Sequence, residues 1–118
     1  MKKTNAVFGK KGEEEAKKFL QDKGFGILAQ NYRSPFGEVD LICKDKNELV
    51  FVEVKTRRNL EFGDGAEAVD RKKQEKIMKT AFYFLKNQHF EAHPFRFDVV
   101  SILSGSDLKI SYIPRAFP

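Results

Sequence analysis

Asp40, Glu53 and Lys55 are the residues of this sequence whose types and spacing carry the most specific chemistry. Side chains alternate along an extended strand, so Glu53 and Lys55 share a face with Leu49 and Phe51, and Val50, Val52 and Val54 share the other. The valine row needs an apolar partner row. Val39, Leu41 and Cys43 supply it if a hairpin turns at Lys46-Asn47 and pairs Leu41 with Val52 and Cys43 with Val50. That register sets Asp40 opposite Glu53, with side-chain roots about 5 Å apart. Like charges at that distance repel by roughly 3 kcal/mol at an effective dielectric of about 20, so the pair calls for a cation.

Magnesium, or manganese in its place, suits that need, because a hard divalent ion takes one or two carboxylates together with water and phosphate oxygens. Lys55 could then orient an attacking water or stabilise charge developing on phosphorus. The bland alternative is a solvated outer face of an edge hairpin, worth under about 1 kcal/mol. Phe51 and Ile42 on the same face argue that it is covered instead. Glu13 is one more acid directed to this side, one turn before the apolar row of Ala16 and Leu20; its alternative role is at the flank of a shorter helix. Glu14 falls in the polar row with Lys17 and Lys18, and Glu15 at the boundary. Glu38 is either an auxiliary acid or a turn-exit residue.

The elements that must position these groups follow from periodicity and punctuation. Residues 4–23 show a helical stripe through Phe8, Ala16, Phe19 and Leu20, with Gly24 at the place of a left-handed cap. Strands are expected at 26–33, 38–44 and 49–56, with Ser34-Pro35-Phe36-Gly37 and Asp45-Lys46-Asn47-Glu48 as turns. A helix over 70–88 carries Lys73, Ile77, Ala81, Phe84 and Leu85 on one side and Asp70 as N-cap. Strands at 95–103 and 108–113 flank a turn at Ser104-Gly105-Ser106-Asp107. The order α-β-β-β-α-β-β predicts an α/β fold with a central mixed sheet flanked by helices, in a single domain over 1–118.

Composition sets the outer limits. The 118 residues carry a net charge of +5 and include 12 Phe and 3 Tyr, enough apolar material for one core. Cys43 is the only cysteine, which excludes an internal disulfide framework and a Cys-rich zinc site and points to a cytoplasmic protein. No apolar run approaches the about 20 residues of a membrane span, and no signal-peptide core follows Met1, so no membrane partner is expected. A basic surface favours polyanions. Lys72, Lys76, Lys79, Tyr83 and Lys86 recur at helical spacing as one stripe, extended by Arg71 and Lys73, and read either as a phosphate track or as a solvated face. Arg57 and Arg58 follow the acidic segment directly, and Arg33 precedes the Pro35 turn; all three are candidates for holding a phosphate backbone. Tyr32, Phe36 and Phe62 are open to two roles, base stacking or ordinary packing.

Other motifs carry less. Glu61-Phe62-Gly63-Asp64-Gly65 could touch substrate but lacks the spacing and lysine of a nucleotide-binding loop. His89 and His93 are not arranged as a zinc-protease pair, and Pro94 opposes a helix there. Asp98 and Arg96 share a strand face as an internal ion pair, and Cys43 reads as a small buried hydrophobe.

The pattern Asp40 followed by Glu53-Val54-Lys55 resembles the PD-(D/E)xK signature of restriction-endonuclease-like nucleases, with Val39 where a proline often stands. A longer pattern is more specific: Gly12-Glu13 with Ala16 and Leu20, Asn31-Tyr32-Arg33, Gly37-Glu38-Val39-Asp40-Leu41-Ile42, and Phe51-Val52-Glu53-Val54-Lys55-Thr56-Arg57. Lys73, Arg96-Phe97-Asp98-Val99-Val100 and Ala116-Phe117 complete it. This pattern resembles the YraN family of predicted endonucleases, similar to archaeal Holliday-junction resolvases. The resemblance implies a restriction-endonuclease-like core and metal-dependent phosphodiester cleavage in DNA. Asp40 and Glu53 would then bind Mg2+ or Mn2+, Lys55 would be catalytic, and Glu13 would match the helix-borne acid of the resolvases. The rival expectation is a non-catalytic nucleic-acid-binding module. Two-strand cutting leaves a homodimer open, and an unidentified protein partner as well.

Overall fold

The computed structural model describes residues 2–57, 69–103 and 109–117, with residues 2–10 as helical backbone alone. Helix α1 (Lys2–Asp22) leads into strands β1 (Gly26–Ser34), β2 (Gly37–Asp45) and β3 (Glu48–Arg57). Helix α2 (Arg71–Asn87), β4 (Phe95–Leu103) and β5 (Lys109–Ile113) complete the order. The five strands form one mixed sheet in the order β1-β2-β3-β4-β5, antiparallel except for the parallel pair β3 and β4. This is the expected α/β architecture. Arg58, Phe62, the segment 61–65 and the turn 104–107 lie outside the described residues.

Local chemistry sets the ends of the helices. Gly24, at φ +98°, closes α1 with paired terminal bonds, Phe25 N–H to the Leu20 carbonyl (3.0 Å) and Gly24 N–H to that of Gln21 (2.9 Å). Phe25 and Leu20 then pack in the same core. Asp70 opens α2 by accepting from the Lys73 N–H at 2.8 Å. The same closure ends α2, where Phe90 N–H donates to the Leu85 carbonyl and His89 takes the left-handed position at φ +59°. His89 therefore serves a helix end.

The sheet separates two cores. Leu49, Phe51, Phe97 and Val99 pack under Ile77, Ala81, Phe84 and Leu85 of α2. Val50, Val52, Val100, Ile102, Leu41 and Cys43 pack under Ala16 and Leu20 of α1. Burial pushes the Cys43 thiol up to about 12, with the nearby Asp98 charge adding to it, so it behaves as a hydrophobe. Strand β3 is covered on both faces, which its alternation of valines with Leu49 and Phe51 requires.

One expectation about β2 is corrected. Val39 lies in the α2-side core with Ile42, not in the row of Leu41 and Cys43. Period-two alternation breaks at Asp40. The β2–β3 ladder has the expected register, Leu41 against Val52 and Cys43 against Val50, but Leu41↔Val52 is its last pair. On the other side, pairing steps from Gln30↔Leu41 to Tyr32↔Val39, passing over Asn31, which has φ +50°. Asn is among the non-glycine residues that most readily adopt that left-handed backbone. The strands fork at this level, and a side chain fills the gap: the Val54 N–H donates to Asp40 Oδ2 at 2.7 Å.

Candidate active site

The fork opens into a cleft of about 370 Å³ lined by Glu13, Gly37, Glu38, Asp40, Glu53, Lys73, Lys76 and Ile77. It lies at the carboxyl end of β3, where the parallel pair β3/β4 meets the start of α2, the usual place for a site in such sheets. A larger cleft near Phe82 and His89 holds no comparable group of acids and bases.

Each side chain arrives there for a local reason. Glu53 follows the alternation of β3 and is buried, 5% exposed, on the α2 side. Lys55 sits two residues on, its Nζ 4.0 Å from Glu53 Oε2. Gly12 lets α1 approach the end of β3 closely, since a Cβ at that position would lie 2.3 Å from Thr56 Oγ1. That approach brings Glu13 to the cleft. Asn31, with its amide nitrogen toward the acids, donates to Glu13 Oε1 at 3.2 Å and to Glu38 Oε1 at 3.0 Å. Glu38 also meets Arg33 at 3.6 Å, at an exposed rim.

Lys73, a candidate for holding phosphate, has its Nζ 2.8 Å from Glu53 Oε2. The signal for this was present: Lys73 stands one turn before Ile77 in the apolar row of α2. Asn31 is the residue missed on reading the sequence for chemistry. Lys76 lines the cleft, while Lys72 and Lys79 are exposed on α2 and Arg57 is half-buried at the end of β3. Arg58 falls outside the described residues.

The electrostatics are strained. Burial pushes the Asp40 carboxyl up to about 9, helped by a hydrogen bond to Glu53 and by its charge, and opposed by the Val54 N–H. Burial would also raise Glu53, but the hydrogen bond from Asp40 and the Lys73 and Lys55 ammonium groups outweigh it and hold Glu53 low. The two acids therefore titrate as a coupled pair, with Asp40 held up and Glu53 held down. Burial lowers Lys55, with the neighbouring Lys73 adding to this and the two acids opposing it. Burial works against the Lys73 charge too, but its contacts with Glu53 prevail and raise it. Burial raises Glu13, Glu38 and other acids add to that, and Asn31 opposes it.

Two adjoining carboxyls whose joint ionisation is opposed by desolvation and mutual repulsion are the donor set that a dication relieves. Among the described residues no three acidic, histidine or cysteine side chains converge on one point. An ion would rest on Asp40 and Glu53, with water and phosphate completing its shell, and the hard oxygen donors fit magnesium or manganese.

A second charged cluster lies at the opposite end of β3. Arg96 donates to Glu48 at 2.7 Å, to Asp45 at 3.2 Å and to Asp98 at 3.1 Å. Buried Asp98 also accepts from the Tyr112 hydroxyl and from the Arg115 N–H at 2.9 Å. The expected Arg96–Asp98 ion pair is present, within a larger network.

The family model for "Uncharacterised protein family UPF0102" matches residues 12–102. The chain belongs to the UPF0102 family. A UPF0102 protein of Dictyoglomus turgidum is 43% identical over 116 residues, covering 96% of this chain and 98% of the relative. One from Chloroherpeton thalassium is 49% identical over 100 residues, covering 85% and 78%. The residues matched by the UPF0102 model include Glu13, Asp40, Glu53 and Lys73 of the cleft, and Lys55 beside Glu53. Among the described residues no helix is long and apolar enough to cross a membrane.

Proposed function

We propose that this protein is a divalent-metal-dependent nuclease that hydrolyses phosphodiester bonds in DNA, built on a restriction-endonuclease-like core similar to that of the archaeal resolvases. The observation that carries the reading is the pairing of half-buried Asp40 with buried Glu53 in one cleft, with Lys73 Nζ 2.8 Å and Lys55 Nζ 4.0 Å from Glu53 Oε2. Asp40 and Glu53 hold the ion, magnesium or manganese. When bound, it supplies Lewis-acid polarisation of a phosphate oxygen and neutralises charge in the transition state. Asp40 stays oriented by the Val54 N–H whether or not it carries a proton. Lys55, whose pKa burial and the neighbouring Lys73 lower, orients the attacking water. Glu13 assists from α1, and Glu38 is an auxiliary acid held through Asn31. Lys76 at the cleft wall, with Lys72 and Lys79 along α2, binds the phosphate backbone, and Arg33, Arg57 and Arg58 are further candidates for that role.

Calorimetry with Mn2+, run beside cleavage of plasmid, branched and single-stranded DNA, tests this on wild type and Asp40→Asn. Loss of metal binding and at least about a hundredfold loss of cleavage are expected in the variant. A second reading, a non-catalytic nucleic-acid-binding module, draws on the Lys73–Glu53 contact at 2.8 Å, which already supplies a cation to one acid. It predicts DNA binding with no dependence on Asp40 or on metal, and that outcome would replace the nuclease reading.

A further inference from the structure

We propose that Phe36 and Tyr83 form a stacking step for unpaired bases, so that the strand reaching the acidic cleft is held there in single-stranded form. The destination of the strand rests on the nuclease reading; the step itself does not. Phe36 is 48% exposed at the tip of the β1–β2 turn, and Tyr83 is 37% exposed on α2. Their rings meet edge to face with centroids 6.3 Å apart, and Tyr83 leans on Tyr32 at 6.5 Å. Tyr32 is backed by Phe84 at 5.1 Å. The outer rings are thus propped from below and open above.

Hydrogen bonds rather than burial fix the turn. The Phe36 N–H donates to Ser34 Oγ at 3.0 Å, and Ser34 Oγ lies 2.9 Å from Thr80 Oγ1. Thr80 in turn donates to the Lys76 carbonyl at 2.9 Å. The turn thus presents the Phe36 ring beside Tyr83 with a face left to solvent, and the neighbourhood points to the chemistry that would cover it. Gly37, next to Phe36, lines the acidic cleft beside Lys76. Lys76, Lys79 and Tyr83 lie on one stripe of α2, and Tyr83 stands ten residues, or about 15 Å, along the axis from Lys73. Exposed aromatic faces alternating with lysines match the two chemistries of an unstacked strand, base π-faces and phosphates. A protein partner would favour aromatics ringed by apolar, charge-depleted surface, whereas among the described residues Tyr83 shares its stripe with the exposed Lys76 and Lys79. In a duplex the base faces are already stacked on one another, leaving only the phosphates for the lysines.

The test measures fluorescence anisotropy of one labelled oligonucleotide, single-stranded and annealed, in EDTA so that no cleavage can occur. Phe36→Ala with Tyr83→Ala, checked for an unchanged melting curve, is expected to weaken single-strand binding at least about tenfold and duplex binding less than about twofold. The chain has no tryptophan, so Phe36→Trp installs a sole reporter, whose emission the single strand should quench and the duplex should not. Equal losses on both forms, no loss, no measurable single-strand binding by wild type, or unquenched emission would each overturn the step. If single-strand binding depends on the rings while Mn2+ binding and cleavage are absent, the step stands and the nuclease reading falls. If cleavage depends on Asp40 while the rings have no effect, the reverse holds.

Discussion

Strand β3 ends in charge twice, and the two ends treat their acids differently. At the Glu48 end every acid has its own fixed donors: Asp98, fully buried, is met by the Arg96 guanidinium, the Tyr112 hydroxyl and the Arg115 N–H. Arg96 is planar and permanently charged, spans three carboxylates at once, and lies over the Phe25 ring at 5.6 Å. At the Glu53 end two acids lie together, burial and the neighbouring carboxylate hold Asp40 high, and the nearest cation is a lysine, 44% exposed, reaching in from the start of α2. The first arrangement locks the sheet. The second leaves a charge demand that a mobile cation can answer, which is what a binding site needs and a structural cluster avoids.

The largest expected effects test that contrast on stability. Asp98→Ala strands Arg96 among fewer partners and should cost about 3–5 kcal/mol, read as a shift of the urea midpoint. Asp40→Asn should do the opposite in metal-free protein, raising stability by about 1–3 kcal/mol, because the amide still accepts from Val54 and no longer needs a proton. Destabilisation of similar size by both substitutions would erase the distinction.

A pH series sharpens it. Asp40 is raised from its ordinary 3.8 to about 9, so between those values the folded chain keeps a proton that the unfolded chain releases. Stability of the metal-free protein should therefore fall as pH rises across that window. Glu53, held low, contributes stability that is lost only in acid, and Lys73, held high, contributes stability lost only above its ordinary 10.5. Lys55, held low, opposes the Asp40 slope at the alkaline end. Denaturant titrations of wild type and Asp40→Asn should show the falling limb in wild type and a flatter profile in the variant. Lys73→Met should raise Mn2+ affinity about tenfold by calorimetry, since the ion no longer competes with an ammonium for Glu53. A loss of affinity would make Lys73 a support of the ion rather than its rival.

Much of this scaffold is legible in the residues. The valine row of β3 selects its partner register, Asp70 announces α2, and Gly24 closes α1, because each is a local demand of geometry or backbone bonding. The period-two rule also brings Glu53 and Lys55 to the α2 side. It fails at Asp40, because the rule presumes a continuous ladder, and this ladder stops at Leu41↔Val52 with Asn31 left-handed beside it. A fork held by one side-chain bond to Val54 leaves no periodic trace. Lys73 is legible in part: its helical row with Ile77 and Ala81 points toward the sheet, while its contact with Glu53 depends on the tertiary approach of α2 to the end of β3.

The smallest effect concerns the rim. Arg33 Nε lies 3.6 Å from Glu38 Oε2, with the arginine side chain 82% exposed, so water and salt screen most of their attraction. Arg33→Ala should change stability by less than about 0.5 kcal/mol, and the difference between low and high salt should be smaller still. Glu38 keeps its place through Asn31, so the acids of the cleft should hold their arrangement without the arginine. A urea midpoint that drops as far for Arg33→Ala as for Asp98→Ala would show that this end, too, depends on an arginine lock. The acids at the fork would then be a structural cluster like the one around Arg96.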